Sequence, residues 1–239
     1  QARTGYQSAL ATWEHLLSDF GDTVVRLRGL AISLERLADL DLANGNTSLA
    51  REGYQRSLAT REHLLGEFGE TADHLRGLTI PIERLAGLNR NGGDFDQSRL
   101  GYQRSLVIRE LLIAKPGSPA SCLTDLANTL YRLADLNQAA GEDEQARAEY
   151  KRCLAIRESL LAESSENPKL FKSLASPLLR LADLDRAAGN IGQARAGYQR
   201  SVEVWECLLE KFGETPEYLR NLTIALERLA YQHRSEGSF

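Results

Sequence analysis

At 239 residues the chain is long enough to bury a sizeable core, and 42% hydrophobic with 26% charged residues is the balance of an ordinary globular protein. A net charge of -4 argues against general nucleic-acid binding, which needs clustered Lys and Arg to displace counterions. No apolar run approaches the roughly 18 residues that span a bilayer, and Cys122, Cys153 and Cys207, without a C-x-x-C or a neighbouring histidine, fit a reducing, cytoplasmic setting rather than a disulfide framework or zinc site.

From the first residues onward the chain repeats itself. Tyr6, Tyr54, Tyr102, Tyr150 and Tyr198 are spaced by 48 residues each time, and eight residues after each stands Glu14, Glu62, Glu110, Glu158 or Glu206. The same period carries Arg36-Leu37-Ala38 into the copies beginning at Arg84, Arg132, Arg180 and Arg228, and then a glycine column at Gly45, Gly93, Gly141, Gly189 and Gly237. The expected units are 1–48, 49–96, 97–144, 145–192 and 193–239, filling the chain as one repeat domain.

Within the first unit, Tyr6, Ala9, Leu10, Trp13, Leu16 and Leu17 recur at three- and four-residue spacing, which predicts a helix with one buried face. Thr23 then stands where an N-cap is needed, its side-chain oxygen able to accept from a first-turn N–H. Leu27, Leu30, Leu34, Leu37 and Ala38 predict a second helix, and Gly45 closes it in the left-handed conformation usual after a helix. Thr71, Ser118, Asn167 and Thr215 repeat the cap. Pro119, Pro168 and Pro216 follow three of them, at the helical position with no N–H partner to lose. Pro81 and Pro177 fall inside second helices and predict kinks there. No period-two alternation suggests strands. The last helix retains Leu219, Leu222, Leu226 and Leu229 with no polar capping helix after it, so the chain is expected to be a fragment of a longer array, or to pair its ends with another copy.

The repeat resembles the tetratricopeptide family. Leu37 and Ala38 match that family's helix-A Leu-Gly/Ala pair, Ala50 and Tyr54 its helix-B small and aromatic positions, and Ser57 the next small one. The unit is longer than the family's usual length of about 34 residues, and the helix-A aromatic is missing. Closer in feel are long bacterial repeats with a Y-x-x-S-L-x-I-R-E-x-L signature, as in Tyr102 to Leu112 and Tyr150 to Leu160. The resemblance implies an all-α, right-handed superhelical solenoid of antiparallel helix pairs, whose concave groove is lined by the second helices and binds a peptide or partner domain. Proteins with such arrays often join them to an effector domain, which makes this chain a sensor or docking arm.

On the second helix, the stripe of Leu27, Leu30, Leu34, Leu37 and Ala38 turns Arg28, Ile32, Arg36 and Asp39 away from it. Stacked units would then present Arg36, Arg84, Arg132, Arg180 and Arg228 as a ladder, with Arg28, Arg76, Lys172 and Arg220 nearby, suited to an acidic peptide through bidentate guanidinium pairs. The bland alternative is a ladder already neutralised, by Asp39, Asp135 and Asp183, by Glu35, Glu83 and Glu227 beside the arginines, or by the Glu14 column between helices. Asn128 and Ser176 break the repeat where Ile32, Ile80 and Ile224 stand, and Asp125, Ser173 and Asn221 replace Gly29 and Gly77; specificity could lie there, or neutral drift. Trp13 and Trp205 occupy a column that is Arg61, Arg109 and Arg157 elsewhere, and are read as packing, or as end or dimer contacts. The sequence offers no phosphate loop, nucleophile elbow, paired histidines or nucleophile beside a base. Catalysis, cofactors and metals are therefore not expected. A protein or peptide partner is expected, with self-assembly through the chain ends as the alternative and RNA disfavoured.

Overall fold

The computed structural model describes residues 2–114, 119–164 and 166–235. It contains α1 (Ala2–Phe20), α2 (Val24–Ala43), α3 (Thr47–Phe68), α4 (Ala72–Asn91), α5 (Phe95–Ile113), α6 (Ala120–Ala139), α7 (Asp143–Glu163), α8 (Pro168–Ala187), α9 (Ile191–Phe212) and α10 (Pro216–Ser235), and no strand among the described residues. These fall into two compact units, Gln1–Ser118 with α1 to α5 and Pro119–Phe239 with α6 to α10. Inside each unit every helix packs on the one before it, because connections of three or four residues leave a helix no other place to go.

The punctuation follows the local chemistry. Thr23, Thr71 and Asn167 cap α2, α4 and α8 through their side-chain oxygens, and Thr215 accepts from the Tyr218 N–H at the start of α10. Ser118 and Gly237 lie outside the described residues. Pro119 occupies the N-cap position of α6 rather than the first helical position expected for it, while Pro168 does open α8. Gly45, Gly93, Gly141 and Gly189 have φ between 77° and 83°, a conformation that a Cβ disfavours, and each directly follows the residue that ends a second helix.

The four interior tyrosines Tyr54, Tyr102, Tyr150 and Tyr198 are fully buried, as are Ala38, Ala86, Ala134 and Ala182 of the helices before them. Gly53, Gly101 and Gly197 close directly on Ala38, Ala86 and Ala182; a Cβ on any of them would come within 2.9 Å of the alanine methyl. Tyr6, on the first described helix, is exposed.

The prolines do not interrupt their helices. α4 runs through Pro81 and α8 through Pro177, both buried. At Pro177 the Ser173 carbonyl, four residues back, loses its helical donor, and Arg157 Nη1 donates to that oxygen instead. Four residues before Pro81, Gly77 lies under the Arg61 guanidinium.

Candidate functional site

In the first unit, α2 and α4 each set out a cation, an isoleucine and a cation one turn apart: Arg28, Ile32, Arg36 and Arg76, Ile80, Arg84. All four guanidiniums and both isoleucines are exposed. The four cations share two carboxylates. Asp73 lies 4.0 Å from Arg28 and 3.6 Å from Arg76, and Asp39 lies 3.9 Å from Arg36 and 3.3 Å from Arg84. Asp39 is further occupied by the Tyr54 hydroxyl, which donates to it at 2.6 Å. Burial, reinforced by that bond to a carboxylate, pushes the Tyr54 phenol far above its ordinary range.

The second unit repeats the Asp39 arrangement. Arg180 Nε lies 3.3 Å from Asp135, which accepts from Tyr150 at 2.5 Å; Arg228 pairs with Asp183, which accepts from Tyr198 at 2.7 Å. Each aspartate thus accepts from the tyrosine of the next helix and faces an arginine one second helix further on. Tyr150 is held protonated by burial and then by Asp135. In the same column Gly87 replaces the aspartate. Arg132 is exposed on α6.

Lys172, Ser176 and Arg220 are brought together with Trp205, Glu217 and Asn221 around an open cleft of about 610 Å³ between α8, α9 and α10, where Lys172 is ion-paired to Glu217. Asn128 is exposed on α6 and already engaged, its Oδ1 accepting from Arg157 Nη2 at 3.1 Å.

Two carboxylate columns do something other than neutralise the Arg36 ladder. The Glu14 column serves exposed pairs between successive first helices: Glu14 with Arg56, Glu62 with Arg104 and Glu158 with Arg200, each at 2.6 Å. Glu35 and Glu83 turn inward, away from their sequence neighbours Arg36 and Arg84. Glu35 is chelated by Arg61 at 2.7 and 3.0 Å and accepts from Ser57 at 2.7 Å, with both ionic side chains only 8% exposed. Glu83 accepts from Ser105 at 2.6 Å and Arg109 at 2.9 Å. In the second unit the column changes chemistry. Tyr131 stands in place of the glutamate, with the Arg157 guanidinium 5.5 Å from its ring centroid and Cys153 in place of the serine. Burial pushes the Cys153 thiol up to about 11. Next, Leu179 packs against the cluster that holds Trp205, and the Ser201 hydroxyl beside it has no partner.

Gly29 and Gly77 are also explained by this column rather than by a ligand. The Trp13 indole lies over Gly29, where a Cβ would come within 2.4 Å of it, and Arg61 Nη1 lies over Gly77 at 2.1 Å from such a Cβ. Part of the signal was available in the sequence: 26 positions after Glu35 and Glu83 stand Arg61 and Arg109, and 26 positions after Leu179 stands Trp205, whereas Tyr131 keeps an arginine, Arg157. Among the described residues no group of three or more His, Cys, Asp or Glu could hold a metal ion, and no helix is long and apolar enough to cross a membrane.

No family model and no curated protein matches the sequence. Solved structures do match. BtubC (BKLC) from P. vanneervenii aligns with 100% of this chain and 84% of its own at 20% identity, with a TM-score of 0.72. A putative kinesin light chain from Podosopora anserina with nearly identical TPR-like repeats aligns with 90% of this chain and 89% of its own at 19% identity and a TM-score of 0.61. The fold is the tetratricopeptide-like helical repeat. The S. pombe nuclear import adaptor Nro1 shares this helical-repeat fold over 93% of the chain and 74% of its own, at 14% identity and a TM-score of 0.57.

Proposed function

We propose that this TPR-like chain is a non-catalytic protein-interaction scaffold that takes an acidic segment with apolar side chains along the exposed face of its second helices. One observation carries the reading: in the first unit four exposed guanidiniums share two carboxylates around two exposed isoleucines. Ion pairs of 3.3 to 4.0 Å at half-exposed groups are weak, of order 0–1 kcal/mol each, so a ligand carboxylate can displace them. Ile32 and Ile80 supply the apolar contact between. In the second unit Arg132, Arg180 and Arg228, with Lys172, Ser176, Arg220 and Asn128, form the corresponding set, and the cleft beside Trp205 gives it a different shape. Within the first unit, the repeats 1–48 and 49–96 would each contribute one second helix to this face. That one structural neighbour is a nuclear import adaptor and another a putative kinesin light chain agrees with a docking role.

The test is fluorescence anisotropy with two labelled peptides, one of repeating Glu-Glu-Leu and one of repeating Lys-Lys-Leu. The acidic peptide should bind, weaken as salt rises, and lose about tenfold in affinity with the Arg36→Ala/Arg84→Ala pair. Equal binding of the two peptides, or indifference to the arginine substitutions, would sink the reading.

A further inference from the structure

The cleft between α8, α9 and α10 differs from the face of the first unit in how its charges are answered. On that face Asp73 serves two cations, Arg28 at 4.0 Å and Arg76 at 3.6 Å. Glu217 stands in the same repeat column and serves one, being ion-paired to Lys172. Arg220, in the column of Arg76, has neither an ion pair nor a hydrogen bond among the described residues. Two further positions change at the same place. Ser176 replaces the isoleucine of Ile32 and Ile80, and Asn221 replaces the glycine of Gly29 and Gly77. Neither side chain is hydrogen-bonded among the described residues. Trp205, which lines the cleft and is only 5% exposed, has no partner for its Nε1 either.

These free groups are mostly donors. A guanidinium and an indole N–H only donate, an amide donates more often than it accepts, and a hydroxyl can turn its O–H toward any acceptor. A group that only accepts completes such a set, which points to an oxyanion. Charge then chooses the oxyanion. Lys172 and Arg220 against Glu217 leave a single positive charge in the cleft, which a carboxylate neutralises and a phosphate dianion would exceed. The apolar walls of Trp205 and Pro216 suit a carboxylate carried on methylenes.

We propose that this cleft is the subsite for one glutamate side chain of the docked acidic segment, and that Glu217 is its built-in competitor. The subsite rests on the docking reading of the second-helix face and adds to it a residue that opposes docking. The incoming carboxylate accepts from Arg220, Asn221 and Ser176, and it contends with Glu217 for Lys172. The Lys172–Glu217 pair can exchange, because its side chains are 45% and 54% exposed and such pairs are held weakly.

The probe is the Glu-Glu-Leu peptide amidated at its carboxyl terminus, so that every carboxylate on it is a side chain. It is titrated against the full chain carrying Trp13→Phe, which leaves Trp205 as the remaining indole. Peptide anisotropy follows binding, and Trp205 emission follows occupancy of the cleft. Both should change with one midpoint. Glu217→Gln should tighten binding about three- to tenfold, and Arg220→Ala should weaken it about tenfold. Glu214→Gln, the same change of charge at an exposed residue outside the cleft, should alter it less than about twofold. A peptide that binds and depends on Arg36 and Arg84, yet leaves Trp205 emission unmoved, overturns the subsite and leaves the docking reading standing. So does a gain from Glu217→Gln no larger than that from Glu214→Gln. Absence of binding by anisotropy overturns both.

Discussion

Replacing the buried pair of the first joint by the pair of the fourth, Glu35→Leu with Arg61→Trp, tests whether these joints are interchangeable modules. Glu35 accepts from three donors, two on Arg61 and one on Ser57, at 2.7 to 3.0 Å, and both ionic side chains are nearly shielded from water. Arg61→Trp alone leaves a carboxylate with Ser57 as its one remaining donor. Glu35→Leu alone strands a guanidinium. Removing one partner of a buried pair costs about 3–5 kcal/mol, because the survivor keeps its desolvation and loses its compensation. The double variant strands neither charge. Gly77 leaves room for the indole as Gly29 does under Trp13, and the orphaned Ser57 hydroxyl repeats what Ser201 already tolerates beside Leu179. Its loss should stay within about 1–2 kcal/mol. Urea unfolding followed by far-UV circular dichroism should therefore give a coupling energy of at least about 3 kcal/mol across the cycle. Single variants that each cost under about 1 kcal/mol, combining additively in the double, would refute the view that Glu35 and Arg61 depend on each other.

Gly77→Ala should destabilise by about 1–3 kcal/mol in the same assay, because its Cβ would meet Arg61 Nη1 at 2.1 Å while Glu35 holds that guanidinium in place. Gly87→Asp should stabilise by about 0.5–1.5 kcal/mol in thermal melts, since it removes a helical glycine and restores the aspartate found at Asp39, Asp135 and Asp183; the new Cβ would sit 3.7 Å from the Tyr102 hydroxyl, an ordinary contact. Stability should fall at alkaline pH. The Cys153 thiol and the Tyr54 and Tyr150 phenols have folded-state pKa values raised above their unfolded ones, so their stabilisation is complete below the unfolded values and is lost as pH rises beyond them, first between about 9 and 11 for Cys153. Denaturant midpoints across that range check the sign, and Cys153→Ala should flatten its lower part.

The two-helix period and its caps were legible because they rest on local chemistry repeated many times: apolar residues three and four apart, Thr23 and Thr71 at helix starts, Gly45 and Gly93 at helix ends. The exposed ladder of Arg36 and Arg84 followed from the same helical spacing. The inward turn of Glu35 did not, since a glutamate beside an arginine on a helix reads as a solvated pair and its burial depends on Arg61 from the next helix. The prolines Pro81 and Pro177 were legible as interior to second helices, but that Arg157 of a neighbouring helix donates to the Ser173 carbonyl freed by Pro177 depends on helix-to-helix geometry. Asn128 stood out as an irregularity on the face, and its engagement by Arg157 came from the same helix-to-helix geometry.

Because the joints differ in chemistry, the copies are not equal under recombination. Excising residues 49–96 would leave Glu35 opposite Ser105 and Arg109, a match of the kind already present. Excising residues 145–192 would set Tyr131 opposite Ser201 and Trp205, stripping the tyrosine of the guanidinium it faces in the intact chain. Loss of the second copy therefore keeps a matched carboxylate–arginine joint, whereas loss of the fourth leaves a mismatched one.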